Sequence, residues 1–379
     1  MSIIIGADLV PTESNKDLFE NGDANALVGR ELLEKLNSAD YRIFNLETPL
    51  ADKKTPINKA GLALIAPTKT IEGYKALGVD LLTLSNNHIM DQGKEGFKST
   101  IEALDKAGIA YVGAGDNIES ASKPYIFDFY GKKVGVYACA EHEFSIADEK
   151  MPGANPFDAL ESLDHIVELK KQCDFVIVLY HGGKEHYRFP SPCLQKVCRK
   201  IVQKGADLVI CQHSHCIGCY EEYNGATIVY GQGNFLFDLQ NNEYWNTSVL
   251  VSVDEDFKIS YIPLEKSGNC VKLAESEKAK EVLGDFEKRS REIKADGVIE
   301  KKYMEFAEKM QEYYLYYFLG INRTSFMFKL LYKLTGGKYY KAMINKKYKT
   351  TNKLAIQDFL ECEAHRELLL FGLKGRRNR

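Results

Sequence analysis

Short apolar runs, each closed by a polar or charged residue, recur through the first two-thirds of the chain and alternate with segments of helical periodicity. Strand-like runs lie at 3–7, 42–46 and 80–85, and helices are predicted near 26–37, 69–77 and 95–107. This alternation predicts βα units and a largely parallel sheet. The runs 125–129 and 133–139 flank Tyr130-Gly131-Lys132 and predict a hairpin. After the polar stretch Ala147 to Pro156, a helix near 157–172, strand 174–180, helix 191–204 and strand 207–212 resume the rhythm. Short strands near 219–223, 226–230, 247–253 and 258–262 then predict a second, more antiparallel sheet. The expected fold is α/β, with two sheets packed face to face and helices outside.

Beyond Lys266 the texture becomes charged and helical through 275–318, then Tyr- and Lys-rich. This divides the chain into a domain at 1–265 and a helical, basic C-terminal region at 266–379. Tyr313, Tyr314, Tyr316, Tyr317 and Phe318, with Phe326, Phe328 and Tyr332, cluster at helical spacing and are expected to pack on one another. The tail from Gly375 to Arg379 is expected to fray.

The formal net charge of -3 gives no overall field that would favour nucleic acid, so no nucleic-acid partner is expected. The charge is uneven, however: residues 300–379 hold 17 Lys/Arg against 8 Asp/Glu. Two readings stay open. Basic helices cover an acidic body, or they form a surface for a protein or an anionic membrane. Met1 leads within two residues into IIIGAD, without the basic and apolar regions of a signal peptide, and YYLYYFLG is too short to span a bilayer. The expected location is cytoplasmic, with peripheral membrane contact left open. Nine cysteines, an odd number, fit a reducing compartment; Cys216-Ile-Gly-Cys219 has redox or zinc spacing but no second pair to complete a zinc site.

Chemistry enters where the apolar runs end. IIIGAD stops at Asp8, RIFNLE at Glu47, LLTLSNNH at Asn87-His88, FVIVLYH at His181, LVICQHSH at His213 and His215, and TIVYGQGN at Asn234. An α/β sheet places its sites outside the carboxyl ends of its strands, so these residues are expected to converge. Two divalent cations about 3.5–4 Å apart need such a mixed set of oxygen and nitrogen ligands from several loops. The i, i+2 spacing of His213 and His215 would let an extended loop send each ring to a different metal. No GxSxG elbow, GxxxxGK[ST] loop or complete dinucleotide fingerprint offers another chemistry.

The series GAD, NLETPL, LSNNHIMDQG, YHGGKEHYRFPSP, CQHSHC and VYGQGNFLFD resembles the bacterial capsule-synthesis CapA family, also called poly-γ-glutamate synthesis proteins. That family is similar in turn to the calcineurin-like metallophosphoesterases. The resemblance covers about residues 1–265. It implies a four-layer α-β-β-α sandwich of two mixed β-sheets with a C-terminal helical extension, and two divalent metal ions, for which Mn, Fe and Zn all suit the donors. Asp8 and His215 would hold the first metal, Glu47 would bridge, and Asn87, His181 and His213 would hold the second. His88 would touch phosphate or protonate the leaving group, Asp91 would orient His88, and Glu185 matches the acidic position of an HxGxE pattern as ligand, base or substrate contact. Asn234 and Asp238 would shape the pocket floor.

Two departures stand out. Val10 occupies the position where calcineurin-like enzymes carry a further His, and Cys211 stands where Gly opens the G-x-H-x-H loop. Glu141-His142-Glu143 reads as a solvated turn, His165 and His365 as ordinary helical residues, and His186 as a neighbour of the site. The implied reaction is attack of a metal-activated hydroxide on a phosphate ester, the substrate being a phosphorylated small molecule or an envelope-polymer precursor. The alternative is a non-hydrolytic factor that uses the same pocket in capsule-polymer assembly or binding.

Overall fold

The computed structural model describes residues 1–240, 242–320 and 325–375; the last residues of the tail expected to fray lie outside these. In chain order the strands begin with β1 (Ser2–Val10), β2 (Tyr41–Asn45), β3 (Leu81–Thr83), β4 (Ala110–Val112) and β5 (Ala114–Gly115). They continue with β6 (Tyr125–Phe129), β7 (Lys132–Ala140), β8 (Gly153–Ala154), β9 (Phe175–His181) and β10 (Leu208–Gln212). The last are β11 (Tyr220–Tyr223), β12 (Ala226–Val229), β13 (Leu236–Phe237), β14 (Thr247–Asp254), β15 (Ile259–Ser267) and β16 (Cys270–Leu273).

One sheet has the order β16-β15-β14-β1-β2-β3-β4, with β13 also pairing to β1; the other runs β11-β12-β10-β9-β7-β6. Both are mixed: β1, β2, β3 and β4 are parallel, whereas β14 lies antiparallel against the other edge of β1. The strands after residue 217 therefore do not form a sheet of their own. β11 and β12 extend the sheet of β10, while β14 to β16 return to the first, because β1, buried on both faces, needs a partner on its second edge.

Side-chain alternation builds the layers. Ile3 and Ile5 of β1 join Ile177, Leu179, Ile210 and Val251 between the sheets, while Ile4 faces outward with Phe44 and Leu250. Each such burial contributes about 1.5–3 kcal/mol, which is why IIIGA carries no polar alternation. On the outer face of the first sheet lie α1 (Lys16–Glu20), α2 (Ala24–Asn37), α3 (Ile71–Ala76) and α4 (Gly93–Ala107). The short α5 (Ile118–Ala121) follows; α6 (Ser162–Lys170) and α7 (Pro192–Gln203) cover the second sheet through Ile166, Leu169, Cys198 and Ile201. Four layers, helix on sheet on sheet on helix, result as expected. The hairpin between β6 and β7 turns at Tyr130 (φ 54°) and Gly131 (φ 76°), the two left-handed residues that match strand twist.

The domain boundary expected at 265/266 falls elsewhere. The first compact unit runs to Tyr303, because α8 (Ser276–Glu292) buries Val282 and Phe286 in the inter-sheet core and its Glu287 accepts a hydrogen bond from Tyr220 (2.8 Å). The long helix α9 (Val298–Phe318) crosses into the second unit, which continues through α10 (Phe326–Thr335), α11 (Lys338–Lys347), α12 (Thr350–Glu361) and α13 (Glu363–Gly375). Its core gathers Leu315, Tyr316, Phe328, Tyr340, Ile344 and Tyr348. Only part of the aromatic cluster packs as expected. Tyr316 and Phe328 pack on each other in the core, Tyr332 stacks on Phe328, and Tyr313, Tyr314 and Tyr317 form ring contacts with one another, whereas Phe318 and Phe326 are exposed.

Candidate metal centre

A bulge at the end of β1 starts the site. Ile5 pairs with Ile43 of β2, yet the next pairing joins Asp8 to Asn45, so β1 carries one extra residue there. Bulges of this kind bend a strand and re-aim side chains. The carbonyls freed by the bend are taken up by two buried amides: Gln212 Nε2 donates to Gly6 O (3.1 Å), and Gln232 Nε2 to Ile5 O (2.8 Å). Asp8 thereby turns toward Asn45 at the end of β2, whose Nδ2 donates to Asp8 Oδ1 (2.7 Å) and lies 3.3 Å from His181 Nδ1. Asn86 holds the loop after β3, donating to Asn45 Oδ1 (3.0 Å) and Leu46 O (2.8 Å) while accepting from the backbone of His88 and Ile89.

On this frame two donor groups form. Glu47, His181 and His213 make one, and Asp8, Glu47 and His215 the other, with the ligand atoms of each group within 4.8 Å of one another. His181 Nε2 lies 3.1 Å from Glu47 Oε1, 3.1 Å from Asn87 Oδ1 and 3.2 Å from His213 Nδ1. His215 Nδ1 lies 3.2 Å from Asp8 Oδ2 and 2.8 Å from Asn234 Oδ1. Glu47 is the member common to both groups. It is 0 % exposed, and among the described residues neither of its carboxylate oxygens has a hydrogen-bond partner; Asp8 Oδ2 has the His215 ring at 3.2 Å as its nearest charged neighbour.

Buried carboxylate oxygens without partners are strongly disfavoured unless a cation completes them. The donors fit one, since atoms about 3 Å apart match neighbouring ligands around an ion with bonds of about 2.0–2.2 Å. Burial holds the His213 imidazole well below its ordinary pKa, with His181 and His215 acting in the same direction, so its ring stays neutral and offers a lone pair. Burial also opposes charge on His215, but Glu47 and Asp8 outweigh it and push that ring up to about 9. For Asp8, burial is outweighed by His215 and His181, which hold the carboxyl below its usual range.

The loop carrying His213 and His215 is not extended, as the i, i+2 spacing had suggested. Both residues have positive φ, 86° and 52°, a conformation non-glycine residues adopt only under constraint. That kinked path still delivers the two rings to different donor groups. Gly231 backs it at φ 131°, where an added Cβ would sit 2.7 Å from Ser214 Oγ and 2.8 Å from Cys216 O. Gly231→Ala is therefore expected to displace the loop and weaken Mn²⁺ binding about 10–100-fold by titration calorimetry, the size of effect seen when a ligand's support is lost.

Beside the donors, His88 Nδ1 lies 2.6 Å from Asp91 Oδ2. Asp91, 0 % exposed, also accepts from Lys59 Nζ (2.6 Å) and from the Leu64 backbone (2.6 Å). Glu185 is exposed on the loop after β9 and belongs to neither donor group. Its neighbour His186 is packed instead, stacked on Tyr244 and accepting from Trp245 Nε1 (2.9 Å). Asn234 reaches His215, whereas Asp238 is tied to Lys266 and Ser14. Val10 packs with Phe237 and Trp245, so no imidazole stands at that position. Cys211 is buried with its sulfur 3.6 Å from that of Cys198, and Cys216 and Cys219 are buried too.

Sequence reasoning missed Asn45, Asn86, Lys59, Gln212 and Gln232. Asn45 and Asn86 sit inside motifs it singled out, next to the residues it chose. Lys59 lies in the loop 51–66, where nothing distinguishes it from Lys53 or Lys54.

Carboxylates and imidazoles gathered at the carboxyl rims of two face-packed mixed sheets define an α/β protein with a candidate metal centre. Residues 2–239 match the family described as bacterial capsule synthesis protein PGA_cap, and the chain belongs to that family. It is 33% identical over 221 residues to the capsule biosynthesis protein CapA of Bacillus anthracis, covering 56% of this chain and 54% of that one. It is 30% identical over 210 residues to the PGA biosynthesis protein CapA of Bacillus subtilis, covering 53% and 54%. The chain thus spans about half the length of the curated relatives it matches. Among solved structures, a phosphatase from Mycoplasma pneumoniae is similar over 70% of this chain and 93% of its own, at 18% identity and a TM-score of 0.43. A 5'-nucleotidase precursor from Thermus thermophilus is similar over 76% and 58%, at 16% identity and a TM-score of 0.38. Among the described residues no helix is long and apolar enough to cross a membrane.

Proposed function

We propose that the chain is a metal-dependent hydrolase of a phosphate ester that serves capsule or exopolymer synthesis. The observation that carries this reading is Glu47, fully buried, shared by both donor groups and lacking, among the described residues, a hydrogen-bond partner on either oxygen. Asp8, Glu47 and His215 would hold one divalent cation, and Glu47, Asn87, His181 and His213 the other. Such cations supply positive charge for phosphoryl oxygens and acidify water near neutral pH.

The chain's own residues do the rest. Asn45 fixes Asp8 through Oδ1, leaving Oδ2 for a ligand role. Asp91 engages Nδ1 of His88, so Nε2 is the ring atom left to give a proton to a leaving alcohol or to hold a phosphoryl oxygen. Lys59 Nζ, 2.6 Å from Asp91 Oδ1, holds that carboxylate in place. Glu185, exposed and apart from the donors, takes no part in this scheme. The substrate class is a phosphorylated small molecule or an envelope-polymer precursor; the names of the CapA relatives supply the link to polymer synthesis.

The test is a panel of phosphomonoesters and phosphodiesters assayed with Mn²⁺, Fe²⁺ or Zn²⁺ on the wild type beside His181→Ala/His213→Ala. Turnover with at least one ester, lost in the folded double variant, is expected. A wild type that binds metal but turns over nothing would favour the non-hydrolytic assembly role.

A further inference from the structure

The second compact unit leaves an apolar surface uncovered. On α10, Phe326, Met327, Leu330 and Leu334 are 76, 61, 39 and 72 % exposed. At 100° per residue these four positions fall within an arc of about 100°, a single stripe along the helix. Phe328, on the opposite side, is the residue α10 buries in the unit's core. The exposed stripe is therefore not a core face left open by chance; the helix has one apolar side for its own unit and another for something else.

The charge around the stripe indicates what that is. Lys329 and Lys333 lie along one edge of the arc, and from Ser325 to Lys349 there are seven lysines and no acidic residue. We propose that α10 docks the chain in the plane of an anionic phospholipid surface, with the Phe326–Leu334 stripe in the acyl boundary and the lysines of α10 and α11 on the headgroups. A helix with an apolar stripe edged on one side by lysines suits that interface, where aliphatic stems lie along the boundary and ammonium groups reach lipid phosphates. Nucleic acid would use the lysines but leave phenylalanine, methionine and leucine in water. The short stripe anchors reversibly, and no membrane-crossing helix is needed.

The experiment is flotation of the full chain with vesicles of phosphatidylcholine alone or containing about one-third phosphatidylglycerol. At least about tenfold stronger binding to the anionic vesicles is expected, falling as NaCl is raised. Phe326→Ser/Leu330→Ser and, separately, Lys329→Glu/Lys333→Glu should each lower that binding about tenfold or more, with unchanged thermal melting because all four side chains are exposed. Failure to bind, equal binding to neutral vesicles, or a lipid-free dimer abolished by Phe326→Ser/Leu330→Ser would overturn the proposal. Metal content and phosphatase turnover stay the same in either outcome.

Discussion

Replacing Glu47 by glutamine is expected to move metal affinity and metal-free stability in opposite directions. Both donor groups lose their common carboxylate, so affinity should fall by at least about 100-fold, beyond the 10–100-fold that loss of a supporting partner causes. Without metal, the wild type carries a fully buried carboxyl group whose oxygens have no hydrogen-bond partner among the described residues, with imidazoles such as His215 nearby. A neutral amide removes that burden, and the metal-free variant should be more stable by on the order of 1 kcal/mol. Mn²⁺ should raise the melting temperature of the wild type and leave that of the variant unchanged, because only a bound ligand shifts the folding equilibrium. Calorimetry in EDTA and in Mn²⁺ checks both signs. Equal metal-induced stabilisation of the two proteins would rule out the shared-carboxylate arrangement.

The second large effect is expected at Asp91. Asp91→Ala strands the Lys59 ammonium, whose side chain is 4% exposed, and frees the His88 ring. Removing one member of a buried pair typically costs about 3–5 kcal/mol, because the other charge stays behind without compensation. Lys59→Met introduced beside Asp91→Ala should recover a good part of that loss, so the double-mutant cycle should be far from additive. Ester turnover in the proposed reaction should fall about 10²–10⁴-fold as His88 loses its fixed orientation. Urea denaturation and steady-state kinetics measure the two effects separately. A loss below about 1 kcal/mol would mean that the Lys59–Asp91–His88 cluster is solvated rather than buried.

The sequence made the ends of the strands legible. Parallel strands buried on both faces read as continuous apolar runs, and the polar residues that end the runs lie at the rim, where Asp8, Glu47, Asn87, His181, His213 and His215 come together. Sheet membership was harder, because alternation shows that 247–253 is a strand and not which edge it joins; β14 pairs with β1 across more than 240 residues of chain. Local backbone was harder still. The kinked path through His213 and His215 depends on close contact with Gly231, which is distant in sequence. Lys59 was illegible for the same reason: its burial comes from the fold of the loop around Asp91 rather than from its neighbours. In the second unit, helical spacing correctly put Tyr316 and Phe328 in a core but could not show that Phe326, two residues away, faces outward.

The most direct test of the account is anomalous diffraction from crystals of the full chain grown with Mn²⁺. The account predicts peaks on both sides of the Glu47 carboxylate, one against His181 and His213 and the other against Asp8 and His215. Ordered Mn²⁺ elsewhere in the molecule, with Glu47 uncoordinated, would contradict it.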